Sequence, residues 1–311
     1  MGTGVEIVLS TYDGGRFLRD QIDSILSQSY TDWRLLIRDD GSLDDSLAIA
    51  LEYAESRPDK IRLSNRPGKN LGACLSFARL LQHADANYIM LCDQDDVWLP
   101  GKIEATLEKM HALEAQYGKD HPLLVHSDFK VVDENLHLLA DSGWRYQKTT
   151  PHYGTFLNRL LVQNVATGCT VMLNRPLRDL ALPVPPGAIM HDWWLALVAG
   201  AFGKTGFVTD PLLLYRQHRL NAVGAKSWGV GRFLQQLFSP EEFRHAFLRT
   251  QQQAGAFLDR YHDRLSPEER QMVRAFSQLD SLGFFTKRFS LLRYGFFHPG
   301  LARKVGMFLF C

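Results

Sequence analysis

The chain has 311 residues, of which 45% are hydrophobic and 22% are charged, and this composition excludes global disorder and collagen-like repeats. The 35 basic and 34 acidic residues give a formal net charge of +1, so the chain lacks the excess of base that is typical of nucleic-acid binders. No apolar run reaches the roughly 18–20 residues of a membrane span, no signal-peptide pattern opens the chain, and the four cysteines form no CxxC pair. We therefore expect a cytoplasmic protein with no nucleic-acid partner.

The charge is divided unevenly along the chain. Residues 1–225 carry a net charge of −5, whereas residues 226–311 carry +6. An acidic body followed by a basic tail indicates two functional regions.

The first part of the chain alternates strand-type and helix-type segments. Short apolar runs predict the strands, and apolar residues at helical spacing predict the helices between them. The predicted strands are 5–9, 33–37, 61–63 and 88–92, and the predicted helices are 17–28, 42–53, 71–81 and 100–116. This alternation predicts an α/β fold, a mostly parallel sheet with helices on both faces.

The pattern is less regular after residue 120. Apolar runs predict strands at 123–126, 169–173 and 211–215, and a helical run at 195–202. From about residue 229 the sequence is amphipathic and lacks strong strand signals, so we predict a C-terminal helical region.

Polar clusters follow three of the predicted parallel strands. The clusters are Thr11-Tyr12-Asp13, Asp39-Asp40 and Asp93-Gln94-Asp95-Asp96. Ligands of such sheets bind beyond the carboxyl ends of the strands, so we expect these clusters to meet along one edge.

The third cluster packs three carboxylates into four residues. Like charges at short range repel, and a hard cation such as Mg²⁺ or Mn²⁺ would remove that cost while it binds a diphosphate. A solvated acidic turn, with Asp95 or Asp96 capping the next helix, is the other interpretation. The chain has neither GxGxxG after the first strand nor GxxxxGK[ST] anywhere, so a bound diphosphate would need a metal to neutralise it.

The first two clusters suit a pyrimidine base. A carboxylate of the Asp39-Asp40 cluster can accept a hydrogen bond from the N3–H of uracil or thymine, and Tyr12 offers an aromatic face. Thr11 and Asp13 can hold the edge of the base. Taken alone, residues 39–42 are also typical of a turn and a helix N-cap.

Two later motifs add candidate residues. Asp192 stands beside Trp193 and Trp194, which can raise its pKa and shape a sugar-binding surface, so it can act as a general base toward a hydroxyl. Arg216 can pair with a phosphate, and His218 can supply a third metal ligand. A helix cap, a surface ion pair and a hydrogen-bonded histidine are the structural alternatives.

Taken in order, these motifs resemble the inverting glycosyltransferase family 2, which has the GT-A fold. The resemblance covers residues 5 to about 224. Its motifs are Val8-Leu9-Ser10-Thr11-Tyr12, Leu26-Ser27-Gln28-Ser29-Tyr30, Asp39-Asp40-Gly41-Ser42, Asn70-Leu71-Gly72, Asp93-Gln94-Asp95-Asp96-Val97-Trp98, His191-Asp192-Trp193-Trp194 and Tyr215-Arg216-Gln217-His218. The last three look like the bacterial rhamnosyltransferase-like branch, which uses dTDP-L-rhamnose to build cell-surface polysaccharide.

The resemblance implies a GT-A catalytic domain at 1–225, followed by the helical, basic region at 226–311. It implies that Asp192 is the catalytic base. The implied nucleotide-sugar-binding residues are Thr11, Tyr12, Asp13, Asp40, Asn70, Asp93 and Arg216, the acceptor- or sugar-binding residues are Trp98, Trp193 and Trp194, and the metal ligands are Asp95, with Asp96 as the alternative, and His218. One departure is Ser76, where the family often has Asn.

The expected reaction is transfer of a sugar from a dTDP- or UDP-sugar to a hydroxyl of a lipid-linked oligosaccharide, assisted by Mg²⁺ or Mn²⁺. A different donor sugar, a nucleotide-sugar-binding protein without turnover and a plain interaction module are the alternatives. Metal-dependent hydrolysis of nucleotide sugars would distinguish them.

The C-terminal segment 284–311 combines bases with aromatics and has no acidic residue. Its bases are Lys287, Arg288, Arg293, Arg303 and Lys304, and its eight aromatics include Phe284, Phe285, Phe289 and Phe310. This composition suits the surface of an anionic membrane, here the inner face of the plasma membrane, and it equally suits a helical cap on the catalytic domain.

Overall fold

A nine-stranded sheet forms the centre of the protein in the computed structural model, which describes residues 4–64, 70–218, 240–298, 300, 304, 307 and 308. The strands are β1 (Val5–Thr11), β2 (Trp33–Asp39), β3 (Ile61–Leu63), β4 (Tyr88–Cys92), β5 (Val97–Trp98), β6 (Leu123–Val132), β7 (Leu138–Ala140), β8 (Met172–Asn174) and β9 (Lys204–Arg216). Their order in the sheet is β3-β2-β1-β4-β8-β6-β9-β5, and β7 pairs with β6.

The half of the sheet from β3 to β4 is parallel, as predicted. The register places Thr11 beside Asp39, and Leu9 beside Cys92, so the carboxyl ends of these strands align at one edge. The fold class is therefore confirmed, since the helices cover both faces of this sheet.

The other half of the sheet is mixed. Strand β8 runs antiparallel to both β4 and β6, β9 runs parallel to β6, and β5 runs antiparallel to β9. An apolar run predicts a strand but not its direction, which the neighbouring strands decide. The predicted strand at 169–173 is a 3-10 turn at Gly168–Thr170 followed by β8, and the predicted strand at 211–215 is the end of the longer β9.

Eleven α-helices surround the sheet within the described residues. They are α1 (Gly15–Leu26), α2 (Ser46–Ser56), α3 (Ala73–His83), α4 (Lys102–Tyr117), α5 (Gly143–Gln147), α6 (Leu157–Val162), α7 (Arg175–Ala181), α8 (His191–Phe202), α9 (Pro240–Tyr261), α10 (Pro267–Ser277) and α11 (Phe284–Tyr294). None of them is both long and apolar enough to span a bilayer.

Two hydrophobic clusters lie on opposite faces of the sheet. Alternation along β1 sends Val8 into one cluster, and Ile7 and Leu9 into the other. The cluster around Val8 extends through α3, α6 and α8 into α9 and α10. The described residues 240–294 are thus mostly helical, as predicted, and they complete a core that begins in the sheet.

The aromatic contacts of Trp194 show how closely the two parts are joined. The ring of Trp194 lies 5.6 Å from that of Phe257 and 5.9 Å from that of Tyr261, measured between centroids. Burial of such large rings makes α9 part of the same packed core as α8. The predicted division at residue 225 falls outside the described residues.

Candidate active site

A cleft of about 860 Å³ opens at the carboxyl ends of the parallel strands. The residues that line it from these strand ends are Ser10, Tyr12, Asp40, Asp93, Gln94 and Asp95. The opposite wall comes from the start of α8, including Asp192 and Trp193, and from Phe247 and Thr250 of α9. The three polar clusters therefore meet at one edge, as the strand alternation predicted.

The acidic turn after β4 presents alternate side chains to the cleft. Asp93 and Asp95 line the cleft, whereas Asp96 is fully buried beneath it. Burial, together with repulsion from Asp95 and Asp192, raises the pKa of Asp93 to about 7. Burial, together with repulsion from Asp95 and Asp93, raises the pKa of Asp96 well above its usual value. Negative charge is thus energetically unfavourable here without a cation.

His218 contacts this turn directly. Its Nε2 lies 2.7 Å from Oδ2 of Asp95. Asp95 lines the cleft, whereas the side chain of His218 is 5% exposed and does not line it. An imidazole beside such a carboxylate is a donor set that suits Mn²⁺ and, through the carboxylates, Mg²⁺. Asp93, Asp96 and Cys169 also approach one another within 4.8 Å. Burial raises the pKa of the Cys169 thiol well above its usual value, so Cys169 stays protonated beside these carboxylates.

Arg216 lies under the acidic turn, away from the cleft. Its backbone N–H donates to Asp96, and its guanidinium donates to the carbonyls of Asp95 and Glu134 and to the carboxylate of Asp20. The same guanidinium stacks 4.6 Å from the ring of Phe17. The prediction that Arg216 pairs with a phosphate is therefore corrected: its hydrogen bonds stabilise the turn that carries the carboxylates.

Gln94 ties the acidic turn to the end of β1. Its Oε1 accepts hydrogen bonds from the hydroxyl of Thr11 at 2.7 Å and from the backbone N–H of Tyr12 at 2.8 Å, and its Nε2 donates to the carbonyl of Tyr12. Thr11 is fully buried, so it supports the rim and does not line the cleft. Tyr12 is half-exposed and lines the cleft.

Asp40 is held by three groups of donors. Arg38 donates to Oδ1 at 2.8 Å, and the backbone N–H groups of Leu71 and Gly72 donate to the same carboxylate at 2.9–3.0 Å. Gly72 has a φ of 76°, which only glycine adopts without strain. The side chain of Asn70 accepts from the Gly72 N–H at 2.9 Å, so it shapes this loop at the mouth of the cleft.

Asp13 lies at the rim but does not line the cleft. Its Oδ1 accepts from the backbone N–H of Leu43 at 2.7 Å, and its own N–H donates to the hydroxyl of Ser42. Its φ of 46° bends the chain out of β1. The side chain thus holds the loops after β1 and β2 together, which corrects the prediction that it binds the base directly.

Asp192 occupies the first turn of α8 and faces the cleft. Its carboxylate accepts from the Trp193 N–H at 2.6 Å and from Gly168 and Asn164, which hold the side chain in place. Burial raises its pKa to about 6. A Cβ on Gly168 would lie 3.4 Å from Oδ2 of Asp192, so glycine lets the backbone approach the carboxylate closely.

The three predicted tryptophans have different environments. Trp193 lines the cleft and donates its indole N–H to the Leu160 carbonyl at 2.6 Å. Trp98 and Trp194 lie in the hydrophobic core, 2% and 0% exposed. The prediction that these two form a sugar-binding surface is therefore wrong, because neither ring has a face at the cleft.

Sequence reasoning missed a histidine and the C-terminal wall. His191 is buried at the cleft, stacked 4.0 Å from the ring of Phe77, and its ring nitrogens have no hydrogen-bond partner among the described residues. His298 also lines the cleft, and its Nδ1 contacts Gln163 at 2.8 Å. His191 stood in a quoted motif, but no local signal marks His298 or α9 as part of the site.

Residues 6–176 match the protein family described as Glycosyl transferase family 2, over more than half of the chain. The chain belongs to this family. The family prediction is thereby confirmed, and residues 6–176 belong to a glycosyltransferase domain. The rim described above is built almost entirely from the matched segment, whereas Asp192 and His218 lie beyond it.

Several curated relatives share part of the chain. It is 41% identical over 112 residues to the putative glycosyltransferase EpsE of Bacillus subtilis (strain 168), covering 35% of this chain and 40% of EpsE. It is 26% identical over 228 residues to the dTDP-rhamnosyl transferase RfbG of Shigella flexneri, covering 70% and 74%. It is 28% identical over 174 residues to the UDP-Glc:alpha-D-GlcNAc-diphosphoundecaprenol beta-1,3-glucosyltransferase WfgD of Escherichia coli, covering 56% and 61%. The matches thus span less than two thirds of EpsE and of WfgD.

Solved structures of glycosyltransferases share the fold. S. aureus TarS 1–349 in complex with UDP-GlcNAc aligns with a TM-score of 0.57 and 16% identity, over 93% of this chain and 80% of that one. The mannosyltransferase PcManGT from Pyrobaculum calidifontis, in complex with GDP-Man and Mn²⁺, aligns with a TM-score of 0.56 and 14% identity, over 94% and 73%.

Proposed function

We propose that this glycosyltransferase moves L-rhamnose from dTDP-L-rhamnose to a hydroxyl of a lipid-linked oligosaccharide, with inversion, during the synthesis of a cell-surface polysaccharide. The observation that carries the proposal is one cleft that Asp40, Asp93, Asp95 and Asp192 all line. The relation to RfbG, named a dTDP-rhamnosyl transferase, supports the donor.

The donor occupies the strand-end side of the cleft in this proposal. Tyr12 stacks on the pyrimidine, and Asp40, oriented by Arg38 and the Leu71–Gly72 amides, accepts from its N3–H. Asn70 shapes the loop beside the base. Thr11 and Asp13 act indirectly, because their hydrogen bonds hold the rim in place.

A divalent cation fits the next position along the rim. Asp95 and His218 would hold Mg²⁺ or Mn²⁺, with Asp93 nearby, because these groups combine hard oxygen and imidazole donors with uncompensated negative charge. When bound, the cation neutralises charge on the diphosphate leaving group. The neighbour PcManGT was solved with Mn²⁺, which supports this choice.

Asp192 is the general base in this proposal. Its raised pKa of about 6 leaves it ionised at neutral pH but basic enough to accept a proton from the acceptor hydroxyl. As that oxygen bonds to the anomeric carbon, the bond from this carbon to the diphosphate breaks. The nucleoside diphosphate leaves, and the anomeric centre is inverted in a single displacement.

The acceptor occupies the opposite side of the cleft, between Trp193 and the wall formed by α9 and His298. Trp193 offers an apolar ring edge to a sugar, and His191 offers an unpaired ring nitrogen to a hydroxyl. WfgD is named for a diphosphoundecaprenol-linked acceptor, which supports a lipid-linked acceptor here. Such an acceptor would bring the protein to the inner face of the plasma membrane.

A donor panel tests the proposal. Purified protein is incubated with Mn²⁺ and with dTDP-L-rhamnose, UDP-glucose or UDP-GlcNAc, and release of nucleoside diphosphate is measured. We expect hydrolysis of dTDP-L-rhamnose to be the fastest, and to stop when EDTA removes the metal. Faster release from either UDP-sugar would overturn the rhamnose assignment.

A second candidate is a family 2 transferase that uses a UDP-sugar. TarS was solved with UDP-GlcNAc, and WfgD is named for UDP-Glc, so the names of relatives also favour this donor class. The contacts at Asp40 suit uracil as well as thymine, since both present an N3–H. The same donor panel separates the two candidates.

A further inference from the structure

The helix α11 exposes large apolar side chains along one face. Phe284, Phe285, Phe289 and Leu292 are 64%, 84%, 61% and 62% exposed. Their spacing of one, four and three residues places them on adjacent positions of one helical face. The opposite face packs into the protein through Ser290 and Leu291, so the apolar face is turned outward.

This clustering is unusual for a soluble surface. Single exposed apolar residues are ordinary, but four on two turns of one helix form a contiguous patch of the kind that marks an interaction site. Elsewhere Leu138 and Leu139 form a smaller exposed pair on β7, 54% and 52% exposed. We therefore expect the patch on α11 to bind a partner that has an apolar surface.

The charges around the patch select the kind of partner. Segment 284–311 has no acidic residue, and Arg288 and Arg293 both lie on α11. The guanidinium of Arg288 stacks 3.8 Å from the ring of Phe284, so its charge borders the aromatic face. Lys287 is mostly buried and pairs with Asp280 at 3.4 Å, so it contributes less. Aromatic rings flanked by arginines match a bilayer interface that contains anionic lipid.

The end of α11 is bound to the wall of the active-site cleft. Asn158 donates to the carbonyl of Tyr294 at 2.8 Å, and Arg159 donates to the carbonyl of Phe297 at 3.0 Å. The next residue, His298, lines the cleft. A surface bound through α11 would therefore be linked by short, direct contacts to the side of the cleft that we assign to the acceptor.

We propose that the exposed face of α11, formed by Phe284, Phe285, Phe289 and Leu292, inserts into the interface of an anionic bilayer, with Arg288 and Arg293 attracting its headgroups. This docking proposal depends on the proposed function in one respect: the lipid-linked acceptor gives the protein a reason to bind a membrane. The docking itself follows from the exposure and the charge of α11.

Vesicle flotation of the full-length protein tests the proposal. We expect the protein to float with phosphatidylglycerol–phosphatidylcholine vesicles, to float poorly with phosphatidylcholine alone, and to be released by high salt. The double variant Phe285→Ser/Phe289→Ser should lose on the order of tenfold or more in vesicle affinity, because two inserted rings are removed. Both side chains are exposed, so the thermal unfolding of the variant should be unchanged.

The double variant Leu138→Ser/Leu139→Ser is the matched control, because it removes a comparable exposed pair outside α11. It should bind vesicles like the unaltered protein. Equal losses in both variants, unaltered floating of the Phe285/Phe289 variant, or no preference for anionic lipid would overturn the proposal. A change in oligomeric state of the Phe285/Phe289 variant would also overturn it, since α11 would then contact a second copy.

Activity on the free donor separates the two proposals. Release of nucleoside diphosphate from dTDP-L-rhamnose without lipid should be equal in the Phe285/Phe289 variant and the unaltered protein. Vesicle binding without any activity on dTDP-L-rhamnose would overturn the donor assignment and leave the docking surface standing. Activity on dTDP-L-rhamnose without vesicle binding would overturn the docking surface and leave the donor assignment standing.

Discussion

The two walls of the cleft are built in different ways. The strand-end wall consists of short loops after β1, β2 and β4, which are joined by the hydrogen bonds of Gln94 with Thr11 and Tyr12 and of Asp13 with Leu43. The opposite wall comes from α8, α9 and His298, which lie far apart in the chain and meet through apolar packing. The first wall and the start of α8 can therefore be recognised from local motifs, whereas the contribution of α9 and His298 exists only once the core has formed.

Asp192 lies where the two walls face each other, so its loss should have the largest effect. The substitution Asp192→Asn keeps the shape of the side chain, but the amide cannot accept a proton. We therefore expect the rate of transfer to fall by about 10²–10⁴-fold. Donor affinity, measured by calorimetry, should be nearly unchanged. Normal turnover in this variant would require another base.

The packing of the helical wall is tested by Phe257→Ala. Phe257 is fully buried against Trp194, so we expect the free energy of unfolding to fall by about 3–5 kcal/mol, measured by denaturant unfolding. Phe285→Ala, at an exposed ring, is the control and should change stability little. Similar small effects for both would mean that α9 is not part of the core.

The strand-end wall depends on a buried ion pair rather than on apolar packing. Arg38→Met leaves the Asp40 carboxylate buried without its cationic partner, and we expect a loss of about 3–5 kcal/mol in the free energy of unfolding. Arg19→Met removes the exposed pair with Glu52, which should contribute little to stability because water screens it. Equal losses of stability in the Arg38 and Arg19 variants, measured by thermal or urea unfolding, would contradict the prediction that the buried pair matters more than the exposed one.

The proposed metal ligand His218 provides another test of the strand-end wall. His218→Asn should weaken Mn²⁺ binding by about 10–100-fold, as measured by calorimetry without any sugar donor. His137→Asn is the control, because His137 forms an exposed pair with Asp133 at 2.9 Å outside the cleft. Unaltered Mn²⁺ affinity in the His218 variant would remove this residue from the site.

The smallest expected effect is a pH dependence of the transfer rate, which follows from the titration of Asp192. Its carboxylate must be ionised to act as base, so transfer should fall about tenfold per pH unit below about pH 6. The raised pKa also means that the folded state holds this proton more tightly than the unfolded chain. Stability from the protonated group is therefore present below about pH 4 and lost as pH rises through 6.

Comparison with Asp192→Asn checks this prediction. Between pH 4 and pH 6 the free energy of unfolding of the variant should fall less than that of the unaltered protein. The residual activity of the variant should not drop as pH falls below 6. A step at the same pH in both proteins would assign the titration to another group.

The sequence by itself determined the elements that depend on neighbouring residues. Apolar runs predicted β1, β2 and β4, and polar residues directly after them predicted a shared edge, because parallel strands align their carboxyl ends. Tyr12, Asp40, Asp93 and Asp95 were therefore identified before any coordinates.

Only the tertiary structure decided which side chains face the cleft. Asp95 points to it and Asp96 into the core, and Trp193 lines it while Trp194 is buried, although each pair is adjacent in the chain. The side chains of Arg216 and Asp13 form hydrogen bonds outside the cleft, which no local pattern encodes. The physical reason is that residue type and spacing define elements, whereas the direction of a side chain and the far wall of a cleft depend on packing between distant segments.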